Sequence, residues 1–140
     1  MKSFLFSLAA LALCGACSQN PGVTSPDGTI RLAFAVDSAG RMTYSVTDGG
    51  VRLFEPSRLG FEAAEADLGG GFAVENVSRT SVDETWTQPW GENKRNRSRY
   101  NEMTVALHRG GEVRLTMRFR LFDDGLGFRY EYEVPACDSL

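Results

Sequence analysis

The chain is poor in the side chains that build compact catalytic and metal sites. It has one histidine, His108, and three cysteines in 140 residues. Cys14 and Cys17 belong to the N-terminal stretch, which leaves Cys137 alone in the body of the chain. A zinc site of cysteine and histidine is therefore excluded, as is an internal disulfide framework. A Ser-His-Asp triad would need His108 as its base, and the sequence has no Gly-x-Ser-x-Gly elbow. His108 stands on the polar side of an alternating segment, as an exposed or structural residue does. An EF-hand is excluded, because no spaced acidic loop closes on a glutamate. Charge of one sign is also missing. Fifteen basic and 18 acidic residues give a net charge of -3, without the positive excess that a general nucleic-acid binder needs. No apolar run approaches the roughly 20 residues of a membrane helix. No amphipathic helix stands out, so there is none for a phosphate loop to open. No fixed-period repeat suggests a propeller or solenoid.

The N-terminus carries a different message. Met1 and Lys2 supply a short positive start, residues 4–13 are an apolar run of signal-peptide length, and Gly15 and Ala16 are small. This pattern predicts export, with residues 1–16 as a signal peptide cut before Cys17. The site also resembles a bacterial lipobox, with Cys14 where leucine is favoured, so Cys17 is the candidate lipidation site. A lipid there would be the chain's sole attachment to a membrane, in the periplasm or at the outer membrane. Residues 17–28 read as a tether. Asn20-Pro21-Gly22 and Ser25-Pro26-Asp27-Gly28 are turn formers without apolar content.

From residue 29 onward the period is two. Ile30, Leu32, Phe34 and Val36 alternate with smaller or polar neighbours, and Met42, Tyr44 and Val46 follow after a turn at residues 37–40. Residues 51–54 make a third strand, which Pro56 either stops or confines to an edge. Residues 63–68 have room for one helical turn, and Gly69-Gly70-Gly71 punctuates the chain. Residues 72–78 are a weaker strand. Met103, Val105 and Leu107 then share one face. Val113 to Leu121 and Leu126 to Val134 alternate cleanly about a turn at Asp123-Asp124-Gly125. Arginines 114, 118 and 120 on one strand can meet Glu131 and Glu133 on the next. Many short strands joined by glycine turns predict an all-β, antiparallel sandwich.

Between these strands, residues 85–102 form a long polar excursion with no sustained apolar period. It holds Trp86 and Trp90, the carboxylates Glu92 and Glu102, four basic side chains and three asparagines, Asn101 among them. Such a stretch is either a surface loop with its tryptophans tucked onto the core or a recognition surface. Tryptophan near carboxylates suits a sugar-binding face, and paired carboxylates serve glycoside hydrolysis when held across a bond. Trp86, Trp90, Glu92, Asn101 and Glu102 are therefore the candidate substrate-proximal or interface residues.

Five segments stand in a distinctive order. They are Ser25-Pro26-Asp27-Gly28, Pro56-Ser57-Arg58-Leu59-Gly60, Asp83-Glu84-Thr85-Trp86 with Pro89-Trp90-Gly91-Glu92, Arg99-Tyr100-Asn101-Glu102, and the run from Phe119 to Tyr130. This series resembles the N-terminal domain of glycoside hydrolase family 97, over residues 25–134. That family contains bacterial α-glucosidases and α-galactosidases. The resemblance implies a galactose-mutarotase-like β-supersandwich packed against a (β/α)₈ barrel that carries the catalytic carboxylates. Calcium in the active site is typical of the full-length enzymes. Because this chain stops at Leu140, the resemblance predicts a partial sandwich domain over residues 29–140, incomplete at its C-terminus. No catalytic residue and no cofactor is expected within it. The implied partners are an oligosaccharide or α-glycoside and the barrel of the same polypeptide. Two other readings remain open: a self-contained exported β-sandwich lipoprotein binding a glycan or protein, and a mutarotase-like epimerase using His108 with a glutamate.

Overall fold

The computed structural model describes residues 20–63, 66–90, 95–110 and 113–133. The expected signal peptide, the candidate lipidation site Cys17 and the candidate Glu92 lie outside the described residues. The described residues form ten strands and no helix: β1 (Gly22–Thr24), β2 (Ile30–Val36), β3 (Met42–Asp48), β4 (Val51–Leu59), β5 (Glu62–Ala63), β6 (Ala66–Asp67), β7 (Ala73–Thr87), β8 (Arg95–Arg109), β9 (Val113–Phe122) and β10 (Gly125–Glu133). One four-stranded sheet runs β1-β2-β3-β4, a second runs β10-β9-β8-β7, and β5 pairs β6 between them in sequence. Every pairing is antiparallel. The two sheets make the expected antiparallel β-sandwich.

Alternation decides which side chains enter the core. Leu32, Phe34, Met42, Val46 and Leu59 face inward from the first sheet. Met103, Val105 and Leu107 of β8 meet them, with Leu115, Met117, Phe119 and Leu121 of β9. Phe34 and Phe119 touch across the gap with ring centroids 5.7 Å apart. Leu68 and Phe72 close one side of the core from the connection before β7. Burying one such side chain contributes about 1.5–3 kcal/mol, so this double row is the main source of stability.

Pro56 lies on an edge strand, one of the two outcomes the sequence allowed. β4 is an edge strand, and its register against β3 shifts between Tyr44/Val46, so Pro56 falls in the irregularity where no ladder N–H is required. The segment around residue 65 has no helical turn among its described residues and instead pairs Glu62 with Asp67. The glycine triplet is held in place: Arg109 donates to the carbonyls of Asp67 and Gly70, and its guanidinium lies 5.3 Å from the centroid of the Phe72 ring.

Gly40 fixes how the β2–β3 turn meets that triplet. Its φ is +70°, and a Cβ there would stand 2.3 Å from the Phe72 nitrogen. The close approach lets Gly71 N–H donate to Ala39 O and Phe72 N–H donate to Gly40 O. Gly40→Ala therefore combines a left-handed conformation with a backbone collision, and should cost about 2–4 kcal/mol. Chemical denaturation checks this, with Gly28→Ala as the control. Gly28 shares a positive φ, but a Cβ there meets nothing within 4 Å. It should lose about 1 kcal/mol.

Candidate functional site

The paired part of the excursion, residues 85–87 and 95–102, is not a loop. It is the far end of the β7–β8 hairpin, paired without interruption from Thr87↔Arg95 down to Asn101 and beyond. β9 covers β8 only as far as Asn101↔Leu121. Past that point the six pairs from Val82↔Tyr100 to Thr87↔Arg95 form a two-stranded ribbon of their own. At about 3.4 Å per residue it reaches roughly 17 Å beyond the sheet. The absence of an apolar period has a simple cause: neither face of the ribbon lies against the core, so neither face is apolar. A strand signal is present in another alphabet. Arg95, Arg97 and Arg99 alternate at period two with Asn96, Ser98 and Tyr100.

The two faces differ. Asp83, Thr85, Arg97, Arg99 and Asn101 share the side turned toward the first sheet, by register with core-facing Met103. Arg97 grips Asp83 with two hydrogen bonds of 2.8 and 2.7 Å. Those bonds, chiefly, hold the Asp83 carboxyl below its ordinary value. Trp86, Glu84, Tyr100 and Glu102 share the other side. Trp86 is 45% exposed and Trp90, at the tip, 82% exposed. Neither is tucked onto the core.

The base of the ribbon is where separate sequence segments converge. Arg99 donates to Pro26 O at 3.3 Å and lies 3.8 Å from an Asp123 carboxylate oxygen. The other Asp123 oxygen accepts from Asp27 N–H at 2.8 Å. Asn101 Nδ2 donates to Thr24 O, and Arg79 Nε to Gly22 O, both at 2.8 Å. These contacts pin β1 and its following turn to the second sheet. Asp27 is the hub of that turn. Hydrogen bonds from the Ser25 hydroxyl, then from the Thr29 N–H and hydroxyl, lower its pKa to about 2. A group depressed in the folded state contributes stability that is complete above its unfolded value, near 4, and disappears as pH falls through about 2. Carboxyl-detected NMR should find the Asp27 midpoint near 2, and Ser25→Ala should move it upward. Beside these contacts lies a cleft of about 490 Å³, lined by Thr24, Arg31, Arg79, Ser81 and Asn101 among others.

Glu102 sits on the opposite face, in the middle of a charge ladder. Its Oε1 lies 2.6 Å from Arg118 Nη1 and its Oε2 lies 2.6 Å from Arg120 Nε. Arg118 also binds Glu131, at 3.1 Å. The Glu102 side chain is only 12% exposed. Burial pushes its pKa up, but the hydrogen bonds from Arg120 and Arg118 outweigh that, and the net shift is downward. This is an ionised carboxylate held by two guanidiniums, the reverse of a proton donor. His108 is six residues along the same strand, about 20 Å away, opposite Ala73 and Arg114. It forms no pair with Glu102, which removes the geometry that an epimerase would need from these two residues. Among the described residues no three histidine, cysteine, aspartate or glutamate side chains come together.

A helix-free antiparallel sandwich with a projecting ribbon is the class that these strands define, within the described residues. The model of the glycosyl-hydrolase 97 N-terminal family matches residues 23–138. The chain belongs to that family. It is 32% identical to a glycoside hydrolase family 97 enzyme from Pseudoalteromonas sp. strain K8, solved in complex with panose, with a TM-score of 0.73 over 86% of this chain and 18% of that one. A β-arabinopyranosidase structure matches at 27% identity and a TM-score of 0.72, over 86% of this chain and 19% of that one. A protein described as "Probable retaining alpha-galactosidase" from Streptomyces bingchenggensis is 30% identical over 103 residues, 74% of this chain and 16% of that protein. The chain thus spans under a fifth of the length of these relatives.

Proposed function

We propose that the chain serves as the N-terminal sandwich of an exported α-glycosidase, and that its β7–β8 ribbon is the part that meets the catalytic domain beside the sugar. The observation that carries this is the ribbon itself. An isolated two-stranded hairpin is marginal in water, yet this one extends past its sheet with Trp86 and Trp90 exposed. Large exposed aromatics of this kind mark a surface made to be covered. The relatives solved with panose and with acarbose are family 97 enzymes, which supports an oligosaccharide or α-glycoside as the substrate class. The barrel of the same polypeptide, with a calcium ion held by groups outside the described residues, belongs to the same proposal.

The test is a hybrid in which this chain's residues 23–138 replace the matching segment of the Pseudoalteromonas enzyme. Trp90→Ala in the hybrid should lower kcat/KM on an α-glycoside by about tenfold or loosen domain docking to a similar degree. Unchanged kinetics together with unchanged melting would refute the placement. Export rests on residues 1–17 alone. N-terminal mass spectrometry of the protein from its host should find Cys17 first, carrying lipid. An intact Met1 would sink export, and an unmodified Cys17 would sink only the anchor.

A further inference from the structure

Given the lipid proposed for Cys17, we infer that the side of the sandwich where β1 lies beside β7 rests on the membrane surface, with Arg31 and Arg79 meeting the headgroups of anionic phospholipids. The fold takes hold of the chain soon after Cys17. Pro21 O accepts from Phe34 N–H at 2.8 Å. Gly22, Val23 and Thr24 pair with Ala33, Leu32 and Arg31. Arg79 Nε donates to Gly22 O and Asn101 Nδ2 to Thr24 O, so the second sheet grips the same short strand. Val23 is buried. Residues 18–20 are thus all that stands between Cys17 and the first fixed residue, Pro21. Fully extended, that stretch spans at most about 14 Å. A lipid on Cys17 therefore keeps the β1 side close to the bilayer. The limit is set by covalent geometry and by the anchoring of β1, so no strand or domain further along a polypeptide lengthens it.

The chemistry of that side suits a phosphate-bearing surface. The cleft of about 490 Å³ opens there, and Asn20, Arg31, Arg79 and Ser81 are among its lining residues. Arg31 and Arg79 are both exposed. Among the described residues the Arg31 guanidinium has no partner, and Arg79 spends its Nε on the Gly22 carbonyl, leaving its Nη groups to donate elsewhere. The carboxylate in the lining is Glu102, and its two oxygens are held by Arg118 and Arg120. The cleft therefore keeps a positive excess in a chain whose net charge is -3. Such a chain has no general attraction to an anionic bilayer, so a local positive side orients it. Guanidinium donors match phosphate oxygens in pairs. One basic residue near an anionic bilayer favours contact about fivefold. The lipid remains the attachment, and the two arginines decide which side faces the surface.

The experiment takes the protein from its host, purified in non-ionic detergent, and places it in bilayer nanodiscs of phosphatidylglycerol and phosphatidylcholine. A dicarbonyl reagent modifies accessible guanidiniums, and mass spectrometry of the digest gives the rate at each arginine. Arg31 and Arg79 should react at least about threefold more slowly in the discs than in detergent. Arg52 should react equally in both; it stands on β4, the opposite edge of the first sheet from β1, with 57% of its side chain exposed. In discs of phosphatidylcholine alone the protection should vanish, which separates an anionic headgroup from mere nearness to a bilayer. Arg31→Glu should cost Arg79 at least about half of its protection, and far-UV circular dichroism establishes that this variant is folded. Equal rates in discs and detergent, equal slowing at Arg52, full protection in phosphatidylcholine, or an Arg79 indifferent to Arg31→Glu would each overturn the inference. The N-terminal peptide of the same digest reads the anchor separately. An unacylated Cys17 removes the anchor and this orientation with it, whereas an acylated Cys17 with unprotected arginines refutes the orientation alone.

Discussion

Glu102→Gln should destabilise the sandwich by about 2–3 kcal/mol and lower its melting temperature by roughly 10–15 °C. The substitution keeps the shape and removes the charge between Arg118 and Arg120. Breaking a fully buried pair costs about 3–5 kcal/mol, and the figure here is reduced because the Arg120 side chain remains 43% exposed and water screens it. Arg118 keeps Glu131, whereas among the described residues Arg120 is left with the face of Tyr100, 4.8 Å from its guanidinium. The loss should accordingly be coupled to Arg120: in an Arg120→Gln background, Glu102→Gln should cost visibly less. The pH dependence has a definite sign. The folded pKa of Glu102 is lowered, so its contribution is complete above the ordinary glutamate value of 4.5 and fades as pH falls through the lower folded value. Glu131, lowered mainly by its hydrogen bond from Arg118, adds to the same window. The wild type should therefore lose stability faster than Glu102→Gln below about pH 4.5. Parallel acid-unfolding curves for the two proteins would show that the ladder is only decoration.

The same residue marks the limit of what a local sequence pattern can carry. β2, β3 and β9 are legible in the sequence because one face of each enters the core and burial writes hydrophobicity at period two, and the alternation of β10 follows from packing Leu126 and Tyr130 against the margin of that core. β8 is legible only from Met103 onward, where β9 covers it and the core begins. The pairing of arginine and glutamate faces is expected from the alternation of β9 and β10, and Arg118–Glu131 realises it. The more enclosed partner, Glu102, reads in sequence as part of a polar loop. Its strand lacks the apolar code before Met103, and the contact is set by β8–β9 register, which no local pattern states. Trp86 stands out in the sequence, but its place on a ribbon face depends on pairing with Asn96, ten residues further on. Long-range pairings of this kind connect Asp27 with Asp123 and Asn101 with Thr24. The segments that carry the family resemblance are scattered in sequence, yet several of them meet at the base of the ribbon.

The chain by itself should not hydrolyse an α-glycoside. Both stereochemical routes need two carboxyl groups facing each other across the scissile bond, about 5 to 9.5 Å apart, one of them able to hold or give a proton near neutral pH. Glu102 fails the second condition. Two guanidiniums at 2.6 Å keep it ionised, and a carboxylate saturated by arginine neither attacks carbon nor protonates a leaving group. Asp83 is taken in the same way by Arg97. Asp27 spends its oxygens on Ser25 and Thr29. Glu84 faces solvent on the ribbon, with no second carboxylate brought opposite it by the register, since Ser98 stands there. Catalysis demands groups held to within about half an ångström by their surroundings, and a ribbon with two exposed faces supplies no such support. Purified protein incubated with nitrophenyl α-glucoside and nitrophenyl α-galactoside should release nitrophenol no faster than buffer. Tryptophan fluorescence in the same samples should report at most weak sugar binding through Trp86 and Trp90. Turnover that disappears in Glu102→Gln or Glu92→Gln would reverse the argument and place a working acid or nucleophile on the hairpin itself.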